Sequence, residues 1–427
     1  MAQTLRRTAI LGGSRIPFCR NNTAYAEVGT FGMGLRAVST LVDRMGIAGL
    51  ELGEVAFGAV LKLDSDWNLA REITLASGLA ATTPAITTAR ACGTSLDNAI
   101  LIANMIACGQ IEVGIAGGSD TTSDVPIALS DALRRRLLSV NRARGAGAKL
   151  RAALHGFRLR DLKPAFPGVA EPRTGLSMGQ HAEQMARQWG IGRVEQDELA
   201  LESHRKLAAA YESGFFDDLV VPLRGQERDG FLRPDTTLEK LGSLKPAFDK
   251  VSGLGTLTAG NSTGLSDGAA AVLLASEDWA NRHHLPIQAY LVDAEVAAVN
   301  FVAGEGLLMA PTVAVARLLK RRQLALQDFD YYEIHEAFAA QVLCTLRAWQ
   351  SAEYCRERLG WDGPLGAIDP ARLNVNGSSL AVGHPFAATG ARILATMAKL
   401  LASRGAGRGL ISICTAGGMG VAAIVER

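Results

Sequence analysis

The chain has 427 residues, of which 48% are hydrophobic and 20% are charged, and its formal net charge is +2. This length indicates roughly two to three domains, and the composition is typical of soluble globular proteins with a large buried core. So small a net charge argues against nucleic acid as a partner, although a local anion site remains compatible with it.

The cysteine pattern argues against two common structural devices. The six cysteines include no CxxC pair, and the two that lie closest in sequence have no histidine at zinc-ligand spacing. The sequence therefore predicts neither a metal site nor a disulfide framework. The six are Cys19, Cys92, Cys108, Cys344, Cys355 and Cys414.

The start of the chain, MAQTLRRTAILGGSRIPF, lacks the extended apolar region and cleavage pattern of a secretory signal, and we interpret it as a first strand. No run of residues approaches the roughly 18 consecutive apolar positions of a membrane span. We therefore expect a cytoplasmic protein whose cysteines are reduced.

Apolar runs of strand length alternate along the chain with longer segments of helical pattern, which is typical of an α/β fold. The predicted strands include residues 8–11, 55–60, 113–116 and 410–414, and the predicted helices include 95–107 and 391–401. Between residues 125 and 252 the composition changes to charged helices, such as 194–214, and turn-rich stretches, such as 223–235. We interpret this segment as an inserted domain.

Residues 91–118 and 383–418 share one order of features: a reactive residue opens a helix, and a strand then runs into Ala-Gly-Gly. Any two helix–strand units of an α/β protein can look alike, so this similarity alone does not establish a repeat. The matching places of Cys92 and His384 favour an internal duplication.

Cys92 follows a predicted strand at residues 85–88 and stands at the start of a helix, where Gly93 allows a tight entry. The unpaired N–H groups and dipole of a helix N-terminus are expected to lower the pKa of a cysteine below its usual value of about 8.5. Cys92 is thus a candidate nucleophile. Burial in the core is the alternative role of an isolated cysteine.

His384 follows a glycine and precedes Pro385 in a predicted turn, and an imidazole with a pKa near about 6.5 is the usual base for a cysteine thiol. Cys414 ends a predicted strand that runs into TAGGMG, while His335 and Glu336 follow the run FDYYEI. Ligands of open α/β sheets bind beyond the carboxyl ends of the strands. The four groups expected to share one site are those of Cys92, His384, Cys414 and His335.

A basic stretch lies inside the predicted insertion, with leucines between its charges and Asp131 and Asp161 as the nearest acidic residues. A solvated amphipathic surface is one interpretation, and contact with a membrane surface or a protein partner is the other. Its basic residues are Arg134, Arg135, Arg136, Arg142, Arg144, Lys149, Arg151, Arg158, Arg160 and Lys163.

Seven motifs together resemble the thiolase family along nearly the whole chain, in that family's order. They are CGTSLDNA, GLSMGQHAEQMA, LKPAFD, TLTAGNSTGLSDGAAAVLL, HEAFAAQ, NVNGSSLAVGHPFAATGAR and CTAGGMG. The HEAFA form and RLRDLKPAFPGVAEPRTGLSMGQHAEQMA are most similar to the degradative 3-ketoacyl-CoA thiolase subunits of bacterial and mitochondrial fatty-acid β-oxidation complexes.

The resemblance implies an α/β thiolase fold, in which two similar βαβαβαββ halves pack as five layers, α-β-α-β-α, with an inserted loop domain. The implied N-terminal half comprises residues 1–124 and 253–278, the inserted loop domain residues 125–252, and the C-terminal half residues 279–427. The resemblance also implies a homodimer or homotetramer and a possible hydratase/dehydrogenase partner subunit.

The implied activity is the reversible, CoA-dependent cleavage of 3-ketoacyl-CoA into acetyl-CoA and a shortened acyl-CoA, through an acyl thioester on Cys92. In this reaction His384 would take the thiol proton, Cys414 would transfer a proton to or from the α-carbon, and His335 and His384 would hold the enolate oxygen. The backbone N–H groups of Cys92 and Ala416 would form a second oxyanion site. Coenzyme A is a substrate, and no cofactor or metal is implied.

The resemblance also implies a coenzyme A site. Arg233 would stack near the adenine, Ala259, Gly260 and Thr263 would line the pantetheine path, and Met178 and Phe338 would form apolar walls. Ordinary core packing is the alternative for the two apolar residues, because pocket linings and cores use the same residue types.

The chain departs from the family pattern where NGSSLAVGHP replaces the commoner NGGAIALGHP and where Ala416 replaces a frequent glycine. His335 stands where short-chain biosynthetic relatives have asparagine, which favours the degradative subtype. The alternatives are a biosynthetic acetoacetyl-CoA thiolase, a decarboxylating ketosynthase, which needs no second cysteine, and a non-catalytic acyl-CoA or lipid carrier of the same fold.

Overall fold

The computed structural model describes residues 5–427. Residues 1–4, which belong to the predicted N-terminal half, lie outside the described residues. The strands are β1 (Thr8–Arg15), β2 (Cys19–Arg20), β3 (Glu54–Gly58), β4 (Ala85–Thr88), β5 (Val113–Asp120), β6 (Ser266–Ser276), β7 (Ala289–Ala298), β8 (Tyr331–Ile334), β9 (Arg408–Thr415) and β10 (Met419–Glu426).

The helices are α1 (Gly29–Arg44), α2 (Leu69–Ala76), α3 (Thr94–Ala107), α4 (Asp131–Arg142), α5 (Ala146–Leu154), α6 (Met178–Gln188), α7 (Arg193–Glu212), α8 (Leu238–Gly242), α9 (Glu277–Arg282), α10 (Ala310–Arg322), α11 (Ala339–Gln350), α12 (Ala352–Tyr354), α13 (Ser379–Val382) and α14 (Thr389–Arg404). The predicted strands and helices are all present, and most extend a few residues beyond their predicted ends. Across residues 5–427, no helix is both long and apolar enough to cross a membrane.

The sheet consists of two half-sheets with the same strand order. Read from the β1–β7 junction, the N-terminal half runs β1-β6-β5-β3-β4 and the C-terminal half runs β7-β10-β9-β8. The pairing directions also match, since the first two pairs of each half are antiparallel and the third is parallel. A parallel bridge from Tyr332 to Leu373 occupies the place of the fifth strand in the second half. The predicted internal duplication is therefore confirmed.

The layer order follows from the alternation of side chains along each strand. In β10, Val421 and Ala423 pack with α3 and α14, whereas Ala422 and Ile424 pack with α10 on the opposite face. The N-terminal half-sheet likewise has α3 and α14 on one face and α1 and α2 on the other. The five-layer α-β-α-β-α core is therefore confirmed, with α3 and α14 as its central layer.

The segment between β5 and β6 leaves the N-terminal half and packs against the C-terminal half, where α6 and α7 contact α11, and α7 also contacts α13. The chain then returns in β6, which lies between β5 and β1. The domain limits at residues 124, 252 and 278 remain predictions.

The central helices α3 and α14 approach each other closely at their starts. A side chain on Gly390 would collide with the backbone of Leu96, and one on Gly118 would collide with the carbonyl group of Ala387. The hydroxyl of Ser95 accepts a hydrogen bond from the Ala391 N–H at 2.7 Å. This contact brings the N-terminal ends of two equivalent helices to the same point of the molecule.

Candidate active site

Cys92 lies in a 3-10 turn, Ala91–Gly93, directly before α3, and it is 8% exposed. Ala91 has a φ of 42°, a left-handed conformation that is costly for a residue with a Cβ and that tends to occur at functional sites. The hydroxyl of Thr94 accepts from the N–H of Arg90 and donates to the carbonyl of Ala91, which fixes the turn. The turn directs the thiol out of the helix and toward the C-terminal half.

His384 occupies the equivalent place in the second half, ahead of the 3-10 turn Phe386–Ala388 and α14. Its Nε2 atom lies 3.0 Å from the Sγ atom of Cys92, and its Nδ1 atom lies 2.6 Å from the hydroxyl oxygen of Thr389. The backbone N–H of His384 donates to Ser266 at 3.0 Å. The two predicted reactive residues therefore form a hydrogen-bonded pair across the two halves.

His335 follows β8 and is fully buried. Its ring centroid lies 4.1 Å from that of His384. Its Nδ1 atom lies 2.7 Å from the hydroxyl oxygen of Ser379, and its Nε2 atom has no hydrogen-bond partner within residues 5–427. One polar atom of this ring is thus free for a ligand.

Cys414 is buried in β9, one residue before that strand ends. The turn that carries Cys92 packs against the same strand end, because a Cβ on Gly93 would touch Thr415 and Val421. Burial, followed by the charge of a Cys92 thiolate, raises the pKa of Cys414. The structure therefore brings Cys92, His384, His335 and Cys414 together.

Burial leaves these four groups uncharged. Loss of solvation raises the pKa of Cys92 to about 12. Burial, followed by the charge of Arg392, lowers the pKa of His384 to about 3. Burial also lowers the pKa of His335 well below its ordinary value and raises the pKa of Cys414. At neutral pH the resting site contains two thiols and two neutral imidazoles.

The expectation that the helix N-terminus lowers the pKa of Cys92 is wrong. The backbone N–H groups of Ala416 and Cys92 do act in that direction, but burial of the sulfur has the larger effect. The same two N–H groups were predicted to form an oxyanion site, and both interact with the Cys92 sulfur. The resting Cys92 therefore has a protonated thiol, and Nε2 of His384 lies within hydrogen-bond distance of its sulfur.

Two buried carboxylates, those of Glu336 and Asp120, support the loops of the site. Glu336 accepts from Ser203, Asn374 and the N–H of Leu380. Asp120 accepts from the backbone N–H groups of residues 60, 61 and 387, and so ties the turn after His384 to the N-terminal half. Burial raises the pKa of Asp120 to about 6.

Three of the predicted coenzyme A residues, Arg233, Ala259 and Gly260, line one cavity of about 220 Å³. Arg20 and His204 line it as well. Burial, Arg233 and Arg20 lower the pKa of His204 to about 4, so that the two arginines supply the positive charge of the cavity. An anionic ligand fits this combination.

The other three predicted residues lie elsewhere. Met178 and Phe338 pack in an apolar cluster that includes Cys414, with Met178 partly buried and Phe338 buried. Thr263 donates from its hydroxyl and its N–H to the carbonyl of Ala337. The position in this cluster is compatible with both predicted roles of Met178 and Phe338, core packing and an apolar wall of the substrate site.

Cys92, His335 and His384 each offer a metal-ligand atom, and these atoms lie within 4.8 Å of one another. Thiolate and imidazole are ligand types that zinc prefers, and a structural zinc site uses about four of them. Here the thiol retains its proton and is hydrogen-bonded to His384, which suits acid–base chemistry. Operation without a metal remains a prediction.

Several supporting residues were not predicted from the sequence. Thr389 and Ser379 contact the two histidines, Glu171 accepts from the N–H of Gly417 at 2.9 Å, and Arg20 faces the cavity. The sequence did contain an indication of Ser379, because this residue lies where GSS departs from the usual family motif. For Glu171 and Arg20 the contact partners are distant in sequence, and no local pattern indicates them.

Two family models match the chain: the thiolase N-terminal domain at residues 8–278 and the thiolase C-terminal domain at residues 285–427. The 3-ketoacyl-CoA thiolase of Pectobacterium atrosepticum is 43% identical over 426 residues, which cover 98% of this chain and 96% of that protein. The 3-ketoacyl-CoA thiolase of Yersinia pestis is 41% identical, with coverages of 98% and 97%.

Solved structures of two proteins have the same fold. The acetyl-CoA acetyltransferase of Bacillus anthracis superposes with a TM-score of 0.82 at 32% identity, and the match covers 100% of both chains. Human mitochondrial 3-ketoacyl-CoA thiolase superposes with a TM-score of 0.81 at 28% identity, covering 99% of this chain and 100% of that chain.

The neutral thiol–imidazole pair leads to a prediction about the pH dependence of Cys92 alkylation. His384 is uncharged above about pH 3, so it can accept the thiol proton throughout the neutral range, and the rate with iodoacetamide should be nearly independent of pH. In His384→Asn the reaction needs free thiolate, whose fraction rises about tenfold per pH unit below the thiol pKa. The measurement is the alkylation rate by mass spectrometry from about pH 5 to pH 9.

Cys108 is the internal control, because it is exposed and free, and its alkylation should be the same in both proteins. A Cys92 rate that rises equally steeply in the native protein and in His384→Asn would contradict the assignment of His384 as the base.

Proposed function

The chain belongs to the thiolase family, and from this premise we propose that it cleaves 3-ketoacyl-CoA with coenzyme A to give acetyl-CoA and a shortened acyl-CoA. The observation that carries the proposal is the convergence of Cys92, His384, His335 and Cys414 in one buried site. The relatives at 43% and 41% identity are 3-ketoacyl-CoA thiolases, which supports a degradative role in fatty-acid β-oxidation.

In the first half-reaction, the Cys92 sulfur attacks the 3-keto carbon while its proton moves to Nε2 of His384, 3.0 Å away. The resulting alkoxide collapses and the bond between the α and β carbons breaks. The electron pair passes to an enolate of acetyl-CoA, which takes a proton from the Cys414 thiol. Acetyl-CoA leaves, and the acyl group remains on Cys92.

In the second half-reaction, the thiol of a second coenzyme A attacks the acyl thioester and gives its proton to the Cys414 thiolate. The departing Cys92 sulfur regains its proton from His384. Two oxyanion sites serve these steps: His335 and protonated His384 for the enolate oxygen, and the N–H groups of Cys92 and Ala416 for the tetrahedral intermediates. After one turnover Cys92, His384 and Cys414 are again in their starting protonation states, and the proton of the coenzyme A thiol has replaced the one that Cys414 gave to acetyl-CoA.

Thiolysis requires Cys414, whereas a decarboxylating ketosynthase does not. We expect the native protein to cleave acetoacetyl-CoA and longer 3-ketoacyl-CoA, and Cys414→Ala to lose about 10²–10⁴-fold in rate, the usual contribution of a general acid or base. Loss of the magnesium–enolate absorbance across chain lengths measures this rate. Activity on acetoacetyl-CoA alone would favour the biosynthetic subtype.

Mass spectrometry after incubation with acetoacetyl-CoA provides the control. The native protein and Cys414→Ala should both carry an acetyl group on Cys92, and Cys92→Ser should carry none at that position. Absence of the adduct from the native protein would favour a non-catalytic carrier. Malonyl-dependent condensation that survives Cys414→Ala would favour a ketosynthase.

We propose that the cavity lined by Arg20, Arg233, Ala259 and Gly260 receives the phosphate-bearing nucleotide of coenzyme A. The cavity lies beside the catalytic centre along the chain, since Gly264 and Leu265 line it and Ser266 binds the His384 N–H. Thr263 would then lie along the pantetheine path, and Met178 and Phe338 would form the apolar wall next to Cys414. Coenzyme A is a substrate, and we propose that no further cofactor takes part.

Removal of the cavity's positive charge should weaken coenzyme A binding and leave the chemistry intact. For Arg233→Gln and for Arg20→Gln we expect KM for coenzyme A to rise about tenfold, since a hydrogen bond to a charged group contributes about 1.5 kcal/mol or more. The kcat value should stay nearly unchanged. Steady-state kinetics at two salt concentrations measure both constants.

Arg224→Gln is the matched control, because Arg224 is exposed in the same segment and does not line the cavity. A rise in KM that is equal in all three variants would indicate a general charge effect and contradict the proposed site.

We also propose that the chain forms a homodimer or homotetramer. Strand β4 lies at the edge of the sheet, where Ile86 is 43% exposed, and the adjacent α2 exposes Leu75. An exposed apolar sheet edge is suited to pairing with a second copy. A monomer in sedimentation would contradict this proposal.

The bacterial relatives support the expectation of a cytoplasmic protein.

The hairpin of α4 and α5 carries most of the basic stretch, and neither helix has a buried residue. Its exposed apolar residues include Leu137, Leu150 and Leu154. Arg136 is an exception among the basic residues, because it is mostly buried and donates to the carbonyls of residues 153, 155 and 156. We propose that this hairpin docks a hydratase/dehydrogenase subunit or an anionic membrane surface.

Charge reversal on the hairpin should abolish this docking. For Arg142→Glu combined with Arg144→Glu and Lys149→Glu, we expect unchanged thiolysis and loss of association with the hydratase/dehydrogenase subunit or with phosphatidylserine vesicles. Co-sedimentation in separate arms distinguishes these two partners. Arg136 is left intact, because its guanidinium joins the two helices of the hairpin through the carbonyls of residues 153, 155 and 156. Native protein that binds neither partner would contradict the proposal.

A further inference from the structure

One ring nitrogen of His335 has a hydrogen-bond partner, and the other has none among residues 5–427. Its Nδ1 atom lies 2.7 Å from the hydroxyl oxygen of Ser379, while the buried Nε2 atom has no partner among residues 5–427. A neutral imidazole carries a single proton, which sits on one nitrogen or the other. The position of that proton decides whether Nε2 can donate to a substrate oxygen or would repel it.

Ser379 has a second polar neighbour that limits what it can do. The guanidinium of Arg392 donates from Nη2 to the Ser379 hydroxyl oxygen at 2.6 Å, and from Nη1 to that of Ser378 at 3.2 Å. Arg392 is 2% exposed, and an arginine is always a donor. The Ser379 oxygen therefore accepts from Arg392 and retains one proton of its own to donate.

In the part of the chain that the structure describes, the Ser379 hydroxyl has one acceptor for that proton, Nδ1 of His335. If Nδ1 were itself protonated, a buried hydroxyl proton would be left unpaired, which is unfavourable. If Nδ1 carries no proton, it accepts from the Ser379 hydroxyl, whose oxygen accepts from Arg392, and each of these donors has an acceptor. The ring proton of His335 then resides on Nε2, on the unoccupied side.

We propose that Arg392, acting through Ser379, fixes the ring proton of His335 on Nε2 and thereby makes this histidine a donor to the enolate oxygen of the substrate. The inference rests on the proposed thiolase function and extends it to two positioning residues. Neither Ser379 nor Arg392 contacts the reacting atoms in this arrangement.

The neighbouring His384 needs the opposite arrangement. Its Nε2 atom faces the Cys92 thiol and must be bare to take the proton, so its own proton lies on Nδ1, 2.6 Å from Thr389. No arginine donates to Thr389 within residues 5–427, and its oxygen is free to accept. In the proposed mechanism the two adjacent rings therefore have opposite tautomers, and Arg392 donates to the hydroxyl partner of His335 and not to that of His384.

The charge of Arg392 serves the same arrangement. Burial, His384 and Arg392 together lower the pKa of His335, which keeps the ring neutral while it donates. His335 therefore stabilises the enolate by a hydrogen bond and does not protonate it, which leaves that proton transfer to Cys414.

The test compares the native protein with Ser379→Ala, Ser379→Thr and Ser378→Ala. Ser378→Ala is the matched control, because Ser378 also accepts from Arg392 but does not contact His335. Nitrogen-15 NMR of histidine-labelled protein reports which ring nitrogen is protonated, and His335→Asn identifies the signal. Exchange of the acetyl-CoA methyl protons in deuterated water reports enolate formation, while exchange of labelled coenzyme A into acetyl-CoA reports acyl transfer alone.

For the native protein we expect protonated Nε2 and bare Nδ1 in His335. In Ser379→Ala the proton should redistribute, and methyl-proton exchange should slow by about 10- to 100-fold, below the 10²–10³-fold cost of losing an oxyanion donor outright. Acyl transfer should change by less than about twofold. Ser379→Thr retains a hydroxyl and should recover the native tautomer, and Ser378→Ala should have it throughout.

A bare Nε2 in the native protein overturns the proposal by itself, even if no variant folds. An unchanged tautomer in a folded Ser379→Ala protein also overturns it. Failure of the thiolase function is distinguishable, because the protein would then show no thiolysis while the NMR spectrum still reported the tautomer.

Discussion

The packing of α3 against α14 is the constraint on which the site depends. The two helices are equivalent elements of two duplicated halves, and each follows a 3-10 turn next to a reactive residue. Gly390 allows the backbones to approach, and the Ser95 hydroxyl joins the two helix starts. Because equivalent ends meet, Cys92 and His384 come within 3.0 Å although 292 positions separate them in the chain. One half alone could not form this pair.

Burial at this junction explains why the reactive groups are neutral. In the described part of the chain, the nearby charged groups contact the histidines only through hydroxyl groups or not at all. Arg392 and Glu333 lie behind the histidines with 3.9 Å between them, and burial lowers the pKa of Arg392 to about 10 and raises that of Glu333 to about 8. The Ser379 hydroxyl lies between Arg392 and the His335 ring, and the Thr389 hydroxyl contacts the His384 ring. In such a dry site an oxyanion gains more from a few oriented N–H groups than it would in water.

Much of the fold could be predicted from the sequence, because apolar runs and helical patterns are local signals. The equivalence of Cys92 and His384 could also be predicted, because each stands at the same place in an order of local features that occurs twice in the sequence. The acidity of Cys92 could not be predicted in this way, because the burial that raises its pKa comes from strands of the other half. Asp120 was missed for the same reason: its partner Ala387 lies 267 positions away. Arg20 reaches the cavity beside residues 259–265 only after the chain has folded.

The segment between β5 and β6 adds to the site what the duplicated halves do not contain. Glu171 holds the turn that presents the Ala416 N–H, and Ser203 binds the carboxylate of Glu336. Arg233 and His204 from this segment line the cationic cavity. The bond-making groups, by contrast, come from the two halves alone. Because the two functions lie on different parts of the chain, changes in the insertion can alter which acyl thioester enters while the Cys92–His384 pair keeps its geometry.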